Sequence, residues 1–123
     1  MKSYTDLEQS KKLKKILLPE SADMAYDWFV VGEKYSTIPQ CRKFIDDELP
    51  CWSLAALFSV IPKEIFDGEY IINITEGLDY KWVITYDSYN HRDHSYYGVS
   101  ASADDLIDAC YEIILKLHER KLL

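Results

Sequence analysis

The stretch that most constrains the fold is the last one. Residues 102–123 read SADDLIDACYEIILKLHERKLL, and Leu106, Ala109, Cys110, Ile113, Ile114 and Leu117 recur at spacings of three and four, which places them on one face of a helix. Ser102 stands where an N-cap belongs, Asp104 and Asp105 bring negative charge to the first turn, and His118, Arg120 and Lys121 bring positive charge to the last. Both ends therefore suit the helix dipole. A helix with one continuous apolar stripe has to bury it, so the rest of the chain is expected to supply the surface that this helix covers.

At 123 residues the chain has the length of one domain and can bury a core without disulfides or metal. No apolar run approaches the roughly 20 residues that cross a bilayer. The opening MKSYTDLEQSKKLKK lacks the apolar middle of a secretory signal, so a cytoplasmic location is expected, with no membrane partner. Cys41, Cys51 and Cys110 are odd in number and match neither a CxxC redox pair nor a paired zinc site, which predicts free, buried thiols. The formal charge of −7 is uneven. Residues 1–15 carry five lysines against Asp6 and Glu8, a local +3, so residues 16–123 carry −10. An acidic body repels phosphate, and no nucleic-acid partner is expected.

Thr5-Asp-Leu-Glu8 has the form of a capping box, predicting a first helix over about 6–17 with Thr5 as cap and a face crowded by Lys11, Lys12, Lys14 and Lys15. Tyr26–Val31 is rich in aromatic and β-branched residues and reads as a strand ended by Gly32, with Trp28 and Val30 on one face. Residues 33–48 give mixed signals, a loop with one helical turn around 42–45. The proline-bracketed segment 49–62, LPCWSLAALFSVIP, predicts a buried helix with Pro50 at its first turn and Trp52, Leu54, Leu57, Phe58 and Ile61 as core. Three alternating runs follow, at 70–76, 81–86 and 95–100, joined by connections short enough for hairpins. One face of that meander carries Ile72, Ile74, Trp82, Ile84 and Tyr86; the other carries Asn73, Thr75, Val83 and Thr85.

The chemistry-bearing motifs are few. His91-Arg-Asp93-His94 is the one cluster with metal-ligand character, yet a polar hairpin turn accounts for the same residues, so no metal or cofactor is expected. There is no GxSxG elbow, no glycine-rich phosphate loop and no cysteine with an evident base, so no catalytic residue is assigned. Six of the ten tyrosines lie between 70 and 97. Of these, Tyr80, Tyr89, Tyr96 and Tyr97 are the expected protein-binding surface, because tyrosine buries area at low entropic cost and keeps a hydroxyl.

Two stretches, LPCWSLAALFSVIP at 49–62 and DACYEIILKLHERKLL at 108–123, resemble a family of small uncharacterised proteins from phages and integrated mobile elements of gut bacteria, with the strand around Trp82 a looser third point. The resemblance implies a mobile-element setting and an accessory role, and transfers no catalytic or binding residue.

Together these readings predict a single α+β domain over 1–123, with a three- to four-stranded antiparallel meander packed by a buried central helix and a long C-terminal helix. The expected function is that of a non-enzymatic, acidic, protein-binding module. The alternatives are a small metal-dependent enzyme built on His91, Asp93 and His94, and a purely structural homodimer.

Overall fold

In the computed structural model the order is α1 (Leu7–Lys14), a 3-10 turn (Pro19–Ser21), β1 (Met24–Tyr26), β2 (Trp28–Phe29), β3 (Lys34–Tyr35), β4 (Leu49–Cys51), α2 (Leu54–Val60), β5 (Glu64–Ile65), β6 (Tyr70–Glu76), β7 (Trp82–Ser88), β8 (Tyr96–Ala103) and α3 (Leu106–Glu119). The structure describes residues 1–88 and 96–123. The class is α+β, as expected, and the chain divides into two compact units, Lys2–Val60 and Ile61–Leu123.

The first unit is organised by its amino-terminal residues. Asp6, not Thr5, caps α1, accepting from the Gln9 amide at 2.8 Å while the Gln9 side chain accepts from the Asp6 amide at 3.1 Å. The capping box is thus shifted one residue from the expected position, because Thr5 is committed elsewhere. Fully buried, Thr5 exchanges bonds with Trp52: its amide donates to the Trp52 carbonyl at 2.9 Å, and its hydroxyl accepts from the Trp52 amide at 3.1 Å. Tyr26 donates its hydroxyl to the Thr5 carbonyl at 2.7 Å, and Ser10 lies 2.8 Å from the Thr5 hydroxyl. A buried polar residue is stable only when so satisfied. Among the described residues no buried side-chain nitrogen or oxygen lacks a partner.

Leu49–Cys51 forms a strand, which corrects the expectation of one helix across 49–62. Met24, Ala25 and Tyr26 pair antiparallel with Cys51, Pro50 and Leu49. Ala25 sends both its amide and its carbonyl to Gln40 on its other side, so its pairing with Pro50 is of the non-hydrogen-bonded kind, where a proline leaves no ladder bond unmade. Helix α2 starts only after Ser53, whose hydroxyl accepts from the Ala56 amide at 3.2 Å. The Asp23 carboxylate holds Ser53 in turn, accepting from its amide at 2.9 Å and from its hydroxyl. Among the expected core residues, Trp52, Leu57 and Ile61 are buried, whereas Leu54 and Phe58 are only half-buried. Met24, Tyr26, Leu49 and Cys51 form a cluster flanked by Tyr4, Leu7 and Tyr35, and α1 packs on β4.

The second unit is a four-stranded antiparallel meander, β5-β6-β7-β8. Register places Ile72 opposite Tyr86, Ile74 opposite Ile84 and Glu76 opposite Trp82, which puts the expected residues on one face. A bulge follows Thr85: Thr85 faces Ser100, but Tyr86 faces Tyr97, so Gly98 and Val99 are extra on β8. Helix α3 packs on β7 and β8, and all six residues of its expected stripe are buried, joined by Ile107. Its cap is Asp105, accepting from the Ile107 amide at 3.1 Å, three residues beyond Ser102, which remains in β8 opposite Val83. The strand continues because pairing with β7 satisfies its backbone through Ala103. The other sheet face is polar: Asn73 and Thr85 both donate to Asp87, at 2.8 and 2.9 Å.

Candidate functional site: a hairpin tip above an acidic cleft

Residues 26–31 do not run as one strand. The chain breaks at Asp27, whose amide donates to the Ser36 hydroxyl at 3.0 Å, and β2 pairs with β3, Trp28 facing Tyr35 and Phe29 facing Lys34. The two rings meet edge to face at 4.9 Å, the arrangement that ring quadrupoles favour. The tip between the strands, Val30-Val31-Gly32-Glu33, closes with the Glu33 amide donating to the Val30 carbonyl at 3.3 Å. Gly32 (φ 89°) and Glu33 (φ 45°) both take the left-handed conformation, which Gly32 adopts without the steric cost that a Cβ brings. The result places Val30 (79% exposed) and Val31 (90% exposed) in solvent, so Val30 does not share a strand face with Trp28. Apolar side chains set out on a turn gain nothing from the fold itself.

Beside the tip lies a tight turn, Ile45–Glu48, and no helical turn forms at 42–45. The Glu48 amide donates to the Ile45 carbonyl at 2.9 Å, and the Ile45 amide donates to the Glu48 carboxylate at 2.8 Å. Arg42 fixes this turn to the hairpin. Its guanidinium forks onto both Glu48 oxygens and reaches Asp27 at 2.7 Å, a bidentate contact that lysine cannot make. The Arg42 hydrogen bonds pull the Glu48 carboxyl from 4.5 down to about 2, and Glu48 in return raises the arginine's own pKa.

Asp27, Trp28, Phe29, Val30, Ile45, Asp46, Asp47 and Glu48 line an open cleft of about 380 Å³. Its lining holds four carboxylates, and with the Arg42 cation that binds two of them this group carries a charge of −3. Asp27 and Glu48 are occupied by that arginine. Asp46 and Asp47 have no hydrogen-bond or ion-pair partner among the described residues, and Ile45 beside them is 60% exposed. In sequence the acidic run 46–48 reads only as a loop signal and as charge ahead of a following helix; that Glu48 is instead gripped by Arg42 is visible only in the structure.

The tyrosine surface is only partly within view. Tyr80 is 80% exposed in the β6–β7 turn, at φ 62°, next to Leu78, which is fully exposed. Tyr89 lies outside the described residues. Tyr96 and Tyr97 stand on β8 opposite Asp87 and Tyr86, and their side chains lie outside the described part. Tyr86 is buried and donates to the Pro62 carbonyl at 2.8 Å, with burial raising its pKa to about 12. The outer edge of β8 is partly occupied: Lys116 and Arg120 of α3 donate to the carbonyls of Ser100 and Gly98 at 2.6 and 3.3 Å, basic side chains that blunt an edge against further strands.

The His91, Asp93 and His94 group also lies outside the described residues. Among those described, no three His, Cys, Asp or Glu side chains gather as a metal site, and no helix is long and apolar enough to cross a membrane. Cys51 and Cys110 are buried free thiols as expected; burial raises both, Cys110 to about 12, which keeps them protonated. Cys41 is exposed instead. No protein-family model, curated protein or solved structure matches the chain.

Proposed function

We propose that this chain is a non-enzymatic binding module that engages another protein through the Val30–Val31 tip and the cleft below it, in the accessory role that the resemblance to mobile-element proteins implies. The observation that carries the reading is that Phe29, Val30 and Ile45 are exposed and line one concavity, with Val31 exposed beside Val30 at the tip. Exposed apolar groups gathered at a concave, polar-rimmed site mark interaction surfaces. Cys51 and Cys110 are held protonated by burial, which removes these two as nucleophiles. The surface differs from the tyrosine set expected from sequence, although Leu78 and Tyr80 present a second apolar turn of the same kind in the other unit.

The experiment is photo-crosslinking from a benzoylphenylalanine placed at Val30 and, as control, at Glu76, in the chain's own host, followed by native mass spectrometry. A discrete protein adduct from position 30 and none from position 76 is the expected result. A lone chain carrying a metal or small-molecule increment would replace the binding-module reading with an enzymatic one.

A further inference from the structure

We infer that the segment received by the cleft is a cationic, amphipathic stretch of another protein, with a lysine or arginine opposite Asp46 and Asp47 and an apolar side chain between Phe29, Val30 and Ile45. This rests on the binding-module reading and names its partner's chemistry. The Arg42 fork binds both Asp27 and Glu48 and pins them in place, its one positive charge shared between the two. It also fixes the backbone of the Ile45–Glu48 turn through the Glu48 carboxylate. What the turn leaves over is two adjacent carboxylates, Asp46 and Asp47, with no partner of their own among the described residues, bordered by exposed apolar groups. An acidic segment would meet a local charge of −3 and a body of −10, and like charges brought together at an interface are strongly disfavoured. A purely apolar segment would desolvate both carboxylates without compensation. A cation flanked by an apolar side chain satisfies both halves of the lining, and the acidic body steers it there from a distance.

The test uses the full chain and a fluorescent peptide of about 18 leucines and lysines at helical spacing, with two controls, the same peptide with glutamate for lysine and a leucine-free oligolysine. Anisotropy titrations are run at about 50 and about 300 mM salt, since screening separates exposed charge contacts from apolar ones. The Leu/Lys peptide is expected to bind and both controls to bind at least about tenfold more weakly. The double variant Asp46→Asn, Asp47→Asn is expected to weaken Leu/Lys binding about tenfold and to flatten its salt dependence. Asparagine tolerates the left-handed backbone at Asp46 (φ 44°), so the fold is retained, which circular dichroism verifies. The charge-matched control Glu69→Gln, Glu76→Gln is expected to leave binding unchanged.

Equal binding of oligolysine, or equal weakening by the two double variants, would reduce the effect to the net charge of the body and overturn the inference. Dimers in sedimentation that Asp46→Asn, Asp47→Asn or Lys11→Gln, Lys14→Gln dissolve would give the cleft to a second copy's lysine face and likewise overturn it. A crosslinked protein at Val30 together with no Leu/Lys binding would refute the partner chemistry while leaving the binding module standing; no crosslink at Val30 would remove the module itself.

Discussion

At the scale of single residues, conformation and charge each leave a testable mark. Lys121 (φ 60°) occupies the left-handed position that ends α3, its amide donating to His118 and that of Leu122 to Leu117, the double closure in which glycine is favoured. Lys121→Gly is therefore expected to raise stability by about 1 kcal/mol, read as a higher midpoint in urea. Glu48 titrates at about 2 in the folded chain against an ordinary 4.5. A depressed carboxyl contributes stability above its unfolded value and loses it as pH falls through the folded one, so this contribution is whole above about pH 4.5 and gone near pH 2. Arg42→Gln should flatten that part of the acid limb, and melts of both proteins at about pH 5 and about pH 3 check it; superimposable acid limbs would show that the clamp adds nothing. Thr5→Val keeps the shape of a buried residue but strands the Trp52 amide that donates to it, with an expected cost of about 1–3 kcal/mol in chemical denaturation. None of these three roles is visible in sequence. A threonine ahead of Asp-Leu-Glu reads as a cap, and only its pairing with Trp52, a residue 47 positions away, shows why Asp6 takes that task instead.

At the scale of elements, period was informative throughout, while boundaries held for β6 at 70–76 and failed at 26–31 and 49–62. The runs at 70–76 and 81–86 appear as β6 and β7 in a register that gathers Ile72, Ile74, Ile84 and Tyr86 on one face, because period-two alternation and short turns leave few other arrangements. Segment 49–62 misled because proline is read locally as a helix start, while Pro50 sits at a non-hydrogen-bonded position of β4 that only β1 and Gln40 define. Likewise Tyr26–Val31 has strand composition throughout, yet half of it turns back on itself to pair with Lys34–Tyr35. The outer strand β8 carries a prediction of its own. Lys116 and Arg120 occupy two of its carbonyls, so Lys116→Ala with Arg120→Ala should free that edge and increase self-association, seen as a concentration-dependent rise in light scattering while helix content is retained.

At the scale of the whole molecule, the chain divides into two compact units, and fully buried side chains stand in each. Leu13, Tyr26, Leu49 and Leu57 are enclosed in the first, and Ile84, Tyr86, Ile107, Ile113 and Ile114 in the second. Ile113→Ala removes a fully buried side chain from the stripe of α3 and is expected to cost about 2–5 kcal/mol, with loss of amide protection in β7, β8 and α3 measured by hydrogen exchange. What the sequence by itself determined is the class and the carboxyl-terminal half: hydrophobic period is a property of neighbouring residues, so an amphipathic α3 and an alternating meander follow wherever the chain finds a surface to cover. What only the tertiary structure decided is the site. The cleft depends on Asp27, Arg42 and Glu48 converging across a hairpin and a turn, and on Val30 and Val31 being held in solvent by a left-handed glycine. Such convergence is set by long-range pairing and by local φ values, to which a periodicity of two or 3.6 residues carries no information.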